Sequence, residues 1–392
     1  MANINDYLLW RGDLPINSKY KFNEIDSMIL ARFSYLRLDK IKLKKQETIE
    51  SIAEKMTKLD DSEFRYNGDK ELITYLGNSD RFKNMLVTDF VQNDNKDFVK
   101  QFSAVTIHIS EKEIYVSFLG TDSTIIGWQE DFNMTFLSNV PCQIAGLDYL
   151  NEIAKKYPDC KIRLGGHSKG GSVAIYSALR TEKLIQKRIV KVYNYDGPGL
   201  KKEILKKYAN KEIMKKMETI IPQDSIIGRL LIHKEKTRIV YSTEKGIYQH
   251  DIFSWEVLKD DLIDIEENTQ KSEEIHRMVV DWLEKTTVEQ RQIFICTVFD
   301  LFYSTEAKSF GEMSKSITTS LPKILKKYGE LEKNDKDALI KMVKLFGKIY
   351  WSMFKERESI KFKNYKNENM KLIENVQEKY KNIKAKQGLN KK

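Results

Sequence analysis

The chain has 392 residues, 41% hydrophobic and 11% aromatic, with only 18 Gly and 6 Pro, which excludes collagen-like, low-complexity and mainly disordered chains. Lys plus Arg exceed Asp plus Glu by 67 to 57, a formal net charge of +10 that is compatible with an anionic partner without demanding one. Three scattered cysteines, Cys142, Cys160 and Cys296, make neither a disulfide framework nor a cysteine metal cluster, and they suit a reducing compartment.

The opening Met1-Ala2-Asn3-Ile4-Asn5-Asp6 has no basic patch followed by an apolar run, so no secretory signal peptide is expected. Ile25, Met28, Ile29, Phe33 and Leu36 recur at helical spacing, which predicts a helix over 23–38 within an N-terminal helical cap. Two β-rich runs follow, 104–109 and 114–119, separated by Ser110-Glu111-Lys112-Glu113 as a hairpin-like pair. Residues 140–157 read as a helix through Ile144, Leu147, Leu150, Ile153 and Ala154, closed by Pro158. A strand is expected at 161–164, a helix at 171–181, and strands at 189–193, 217–221 and 237–241 with helical stretches between them. Strands alternating with helices imply an α/β fold with a mostly parallel central sheet.

Beyond about Glu266 the β signal stops, and 274–284, 288–303, 336–355 and 368–383 carry helical periodicity. Two units are therefore expected, 1–265 and a helical C-terminal extension over 266–392. The end of the chain is crowded with charge and finishes in Lys381, Lys384, Lys386, Lys391 and Lys392. It reads as a solvated helix with a frayed tail, or as a contact for anionic lipid headgroups or a partner. Without aromatic interleaving or a recognisable motif, no nucleic acid is expected as a partner. The most apolar stretch, 293–303, is about half of the ~20 residues that cross a bilayer and is interrupted by Asp300. With neither signal peptide nor membrane span, a cytoplasmic location is expected, leaving export only to a non-standard route.

The sharpest chemical signal is Gly165-Gly166-His167-Ser168-Lys169-Gly170-Gly171, a Gly-x-Ser-x-Gly pattern placed after an expected strand and before an expected helix. A serine on such a turn projects its hydroxyl above the sheet. Gly166 and Gly170 flank it because a β-carbon at either place would clash in so tight a bend. The helix beyond offers free backbone amides to an oxyanion, the amide of Lys169 among them.

A serine hydroxyl needs a base and the base an orienting acid, in the chain order Ser, acid, His. Of the downstream histidines, His276 sits mid-helix and His233 follows closely on Asp224. His250 lies in a loop after the last strand and is the expected base. Asp224, just past a strand end, is the expected acid. Asp196, in Tyr195-Asp196-Gly197-Pro198-Gly199, competes for that role but is read as shaping the pocket or capping a helix. A second oxyanion donor is sought in Phe118-Leu119-Gly120-Thr121-Asp122, where Thr121 could offer its amide and hydroxyl. No metal and no organic cofactor are required by this chemistry.

These residues resemble the class 3 lipase-like α/β-hydrolases, and among them the Mbeg-like branch. The elbow of that family corresponds to Gly166 through Gly171, and its strand, Gly-Thr turn, Trp and acid correspond to Phe118, Gly120, Thr121, Trp128 and Asp131. The segments Asp6-Tyr7-Leu8-Leu9-Trp10-Arg11-Gly12-Asp13-Leu14 and 22–30 look like the opening of the branch, so the resemblance covers roughly 1–260. It implies an esterase or lipase acting on acyl esters with Ser168, Asp224 and His250 as its triad. Leu119 stands where the family usually has Arg, and Lys169 where lipases often have Leu. A cation beside the nucleophile would either favour an anionic substrate such as a phospholipid or simply point away. The rival reading is a non-catalytic hydrolase-fold module that binds a partner or an anionic membrane through its helical, basic C-terminus.

Overall fold

The computed structural model describes residues 2–352 apart from 67, 123 and 350. The helix expected at 368–383 and the lysine-rich tail lie outside the described residues. The chain begins with α1 (Ile4–Arg11) and α2 (Glu24–Phe33), each opened by a capping box, Asn3 with Asp6 and Asn23 with Asp26. Next come β1 (Gln46–Thr48), α3 (Ile49–Met56) and α4 (Asp69–Asn78), then the long antiparallel strands β2 (Leu86–Asn95) and β3 (Lys100–Ser110) and the strand β4 (Glu113–Phe118). After α5 (Ile125–Asn133) and α6 (Pro141–Lys156), the strand–helix alternation runs β5 (Lys161–His167), α7 (Lys169–Arg180), α8 (Lys183–Arg188), β6 (Ile189–Tyr195), α9 (Lys202–Tyr208), α10 (Lys211–Met214), β7 (Met217–Pro222) and β8 (Lys236–Val240). A small hairpin, β9 (Val257–Leu258) with β10 (Asp261–Leu262), precedes β11 (Asp264–Ile265).

One nine-stranded sheet results, in the order β1-β2-β3-β4-β5-β6-β7-β8-β11. Strands β4 through β8 pair in parallel, and antiparallel strands flank them on both sides. Period-two alternation explains how one sheet fills two cores. Val105, Ile107, Tyr115, Tyr193 and Tyr195 face a layer made by α1 to α4, packing on Ile25, Met28 and Ile29. Ile114, Val116, Phe118, Leu164 and Val192 face the opposite way, onto Leu150, Ile153, Val173 and Ala174 of α6 and α7. The N-terminal helices thus cap one face of the sheet rather than one end of it. This is the α/β-hydrolase architecture, with helices on both faces of a sheet whose centre is parallel.

Strand β2 had no clear signal, because Asp89, Gln92, Asn93, Asp94 and Asn95 break any apolar alternation over its exposed half. Its pairing with β3 supplies the backbone hydrogen bonds that local propensity does not favour.

After Ile265 the described chain is helical: α11 (Gln270–Glu284), α12 (Val288–Tyr303), α13 (Phe310–Lys315), α14 (Ile317–Glu330) and a helix over 333–349. Helix α12 docks on α5 through a small cluster of Ile125, Phe136, Ile295 and Phe299. A second small cluster gathers Trp282, Met342 and Ile349. Among the described residues no helix is long and apolar enough to cross a membrane.

Candidate active site

Ser168 sits at the junction of β5 and α7 with φ +57° and ψ −134°, a backbone conformation that non-glycine residues rarely adopt. Its amide donates to the Tyr195 carbonyl at 2.8 Å, so the β5–β6 ladder holds the strained residue in place. The bend is as tight as the sequence pattern demands: a β-carbon on Gly166 would lie 2.3 Å from the Gly170 carbonyl carbon, and one on Gly170 would lie 2.2 Å from the Phe118 oxygen. Any side chain at either position would drive the helix off the sheet.

His250 lies in a 3-10 turn between β8 and β9 and shares with Ser168 a cavity of about 650 Å3. Its Nδ1 is 2.6 Å from Oδ2 of Asp196, at the end of β6, which is 1% exposed. The other Asp196 oxygen accepts from the Ser225 hydroxyl at 2.5 Å and the Gly228 amide at 3.1 Å, so this buried carboxylate is satisfied at both ends. Asp224, the acid expected from the sequence, does not meet His250. Its carboxylate accepts from the Gly246 amide at 3.0 Å, the Gln249 side chain at 3.3 Å and the Thr269 hydroxyl, while its own amide donates to Gln249 at 2.8 Å. Asp224 ties down the loop that carries His250, and Asp196 takes the place on the imidazole. Both carboxylates follow strand ends; the β6 loop folds under the imidazole because Gly197 lets it pass close to the elbow, where a β-carbon would lie 2.1 Å from the Ser168 carbonyl oxygen. The glycines of Asp196-Gly197-Pro198-Gly199 were the sequence signal for this approach. The other downstream histidines lie elsewhere, His233 on Glu235 at 2.7 Å and His276 in α11.

The opposite wall comes from the turn after β4 and from α5. Thr121, Trp128 and Asp131 line the cavity, and the Thr121 hydroxyl donates to Asp131 Oδ2. Burial pushes the Asp131 carboxyl up to about 6, with Lys169 and the Thr121 hydroxyl pulling against that shift, and its Oδ1 has no hydrogen-bond partner. Lys169 turns out not to reach the cavity. Its side chain is 1% exposed, with Nζ 2.8 Å from both Glu130 Oε2 and Gln101 Oε1. Burial works against its charge, and the Glu130 and Asp131 carboxylates more than compensate, holding the ammonium above the ordinary lysine range. Glu130 also accepts from the amides of Gln101 at 3.1 Å and Cys142 at 2.7 Å. The lysine of the elbow is therefore a buried pin from α7 to α5, and of the two expectations for it the one in which it points away from the substrate holds.

Strand, strained serine and helix on a centrally parallel sheet, with a histidine in the same cavity backed by a buried aspartate, define an α/β-hydrolase-type protein. The Mbeg1-like family model matches residues 76–300, and the chain belongs to that family. No curated protein sequence matches the chain. Among solved structures it is similar to a fungal lipase (15% identity, 62% of this chain and 84% of that one, TM-score 0.37). It is also similar to a mutant MDLA from Penicillium cyclopium (14% identity, 60% and 83%, TM-score 0.36) and to lipase II from Rhizopus niveus (13% identity, 44% and 70%, TM-score 0.32).

Proposed function

We propose that this protein is a serine hydrolase of carboxylic esters. The observation that carries the reading is the His250–Asp196 pair at 2.6 Å opening into the cavity that also holds Ser168 on its strained bend. Ser168 Oγ attacks the ester carbonyl, and His250 takes the proton and returns it to the departing alcohol. Asp196 accepts a hydrogen bond from His250 Nδ1–H, fixing the tautomer that leaves Nε2 free to act as base. The amides of Thr121 and Lys169 receive the oxyanion, each donor contributing about 3 kcal/mol of barrier lowering. The Asp131 carboxylate orients the Thr121 hydroxyl beside that site. Water then cleaves the acyl-enzyme with His250 as base.

The acyl side of the substrate is proposed to be apolar. Trp128, Ile227, Ile247, Tyr248 and Phe253 line the cavity, and the one lysine of the elbow is withdrawn from it. This supports neutral acyl esters, including lipid esters, over a substrate chosen for negative charge near the carbonyl. A fluorophosphonate probe tests the reading. Ser168 should be labelled in the wild type and not in Ser168→Ala, and para-nitrophenyl esters of graded acyl length should be hydrolysed by the wild type alone. A folded wild type that leaves Ser168 unlabelled would instead be a binding module on a hydrolase scaffold.

A further inference from the structure

The histidine that precedes the elbow serine is buried, neutral and connected at both ring nitrogens. His167 Nε2 lies 2.6 Å from the backbone carbonyl of His250, and His167 Nδ1 lies 3.0 Å from the Tyr35 hydroxyl. A carbonyl can only accept, so Nε2 carries the proton. A neutral imidazole has one donor and one acceptor, so Nδ1 accepts, and the Tyr35 phenol donates to it at 3.0 Å as the nearer of two acceptors, the His167 carbonyl lying at 3.3 Å. The surroundings agree with this assignment. Burial above all, then the neighbouring His250 and Arg32, holds His167 well below the ordinary histidine range, and burial holds the Tyr35 phenol well above the ordinary tyrosine range.

We infer that Tyr35 and His167 are positioning residues that fix the backbone of His250 and so aim its imidazole at Ser168. The inference rests on the hydrolase reading above. His250 is gripped at two points, its carbonyl by His167 and its Nδ1 by Asp196, and its ring lies against that of His167, tilted by 38° with centroids 4.5 Å apart. With both points fixed, the direction of Nε2 has little freedom left. His250 otherwise belongs to a short 3-10 turn, where backbone drift would swing the ring. Tyr35 follows the end of α2 and is 1% exposed, and its ring is wedged against Tyr66 at 5.6 Å and the Arg32 guanidinium at 4.8 Å. The tyrosine lies upstream of the family-matched residues 76–300. The N-terminal layer therefore does more than cover the sheet: it reaches the reacting histidine through one neutral imidazole.

The test uses the full chain with Tyr35→Phe, His167→Phe and His167→Gln, whose amide can restore a donor near the lost Nε2. For para-nitrophenyl ester hydrolysis, His167→Phe should lose kcat about 10²-fold with KM within about twofold, Tyr35→Phe about 10-fold, and His167→Gln should recover most of the loss. A His167→Phe protein that melts near the wild type and keeps kcat within about twofold would overturn the inference. So would a His167→Gln variant as slow as His167→Phe. Imidazole 15N NMR of the wild type gives an arm independent of turnover: His167 should be the Nε2–H tautomer with an unprotonated Nδ1, and an Nδ1–H tautomer ends the inference even in an active enzyme. Failure of fluorophosphonate to label Ser168 while the tautomer stands as assigned would sink the hydrolase reading instead.

Discussion

The two walls of the cavity are built on different footings. The histidine wall belongs to the main core: Asp196 ends a central strand, Tyr35 and His167 are buried, and the N-terminal layer behind them holds fully buried ion pairs such as Arg81 with Asp26 at 2.5 Å and Arg32 with Asp69 at 2.6 Å. The opposite wall rests on the turn after β4 and on one helix, α5. Its attachments include Glu130, which holds the Lys169 ammonium and the Gln101 and Cys142 amides, and contacts from the C-terminal region, where the Lys308 carbonyl accepts from the Ile125 amide at 3.0 Å, Tyr303 donates to Gln129 at 2.7 Å and Arg291 donates to the Thr135 carbonyl at 3.0 Å. Those helices have small clusters of their own and expose Ile317, Leu321, Leu325 and Val343. Local opening follows contact density, so the histidine wall should be the stiff one and the α5 wall the one that yields first.

The largest effect should separate two carboxylates on the stiff wall. Asp196→Asn should cut kcat about 10⁴-fold by removing the acceptor that sets the His250 tautomer, with little change in melting temperature. Asp224→Asn should do the reverse, lowering stability by about 1–3 kcal/mol while His167 and Asp196 still hold His250 and keep kcat within about 10-fold. Equal loss of kcat in both variants would put the sequence-expected acid back in contention. Urea titration and steady-state kinetics on the pair read both arms.

The next effect addresses the pin. Glu130→Gln leaves the Lys169 ammonium buried without its carboxylate and should cost about 3–5 kcal/mol, whereas the double change Lys169→Met with Glu130→Leu should cost much less. If the single change is as mild as a surface substitution, α5 is held by its C-terminal contacts and not by the pin.

A smaller, pH-dependent effect belongs to Asp131. Its folded carboxyl titrates near 6, above the ~3.9 of an unfolded chain, so between those values the folded state holds more protons. Stability should therefore fall as pH rises from about 4 to about 6 and stay reduced above that range. Asp131→Asn keeps an acceptor for Thr121, should flatten this slope, and should gain about 1–3 kcal/mol at pH 7, read by urea unfolding at pH 4.5 and 7. The smallest change is Tyr303→Phe, which removes the hydroxyl reaching Gln129 and should cost about 1 kcal/mol globally. Its effect should concentrate in hydrogen exchange of α5 amides; faster exchange around His250 instead would reverse the ranking of the two walls.

Much of the fold is legible in the sequence. The expected strands at 161–164, 189–193, 217–221 and 237–241 fall on β5, β6, β7 and β8, and the helix expected at 171–181 falls on α7, because each segment's own periodicity and glycine punctuation agree with its place in the fold. The serine bend was visible for the same reason: a strand, two glycines at fixed offsets and a helix are all local. Strand β2 was not, since its polar half is stabilised only by a partner strand.

By itself, then, the sequence determined the alternation of strands and helices, the place of Ser168 and the short choice of histidines that could reach it. Tertiary structure decided that Asp196 and not Asp224 meets His250, that the Lys169 ammonium turns into the core, and that Tyr35 from the first helices touches the elbow histidine. The physical reason is range. Backbone conformation follows from neighbours a few positions away, whereas the partner of a side chain is set by which loops the packed sheet brings to the same edge.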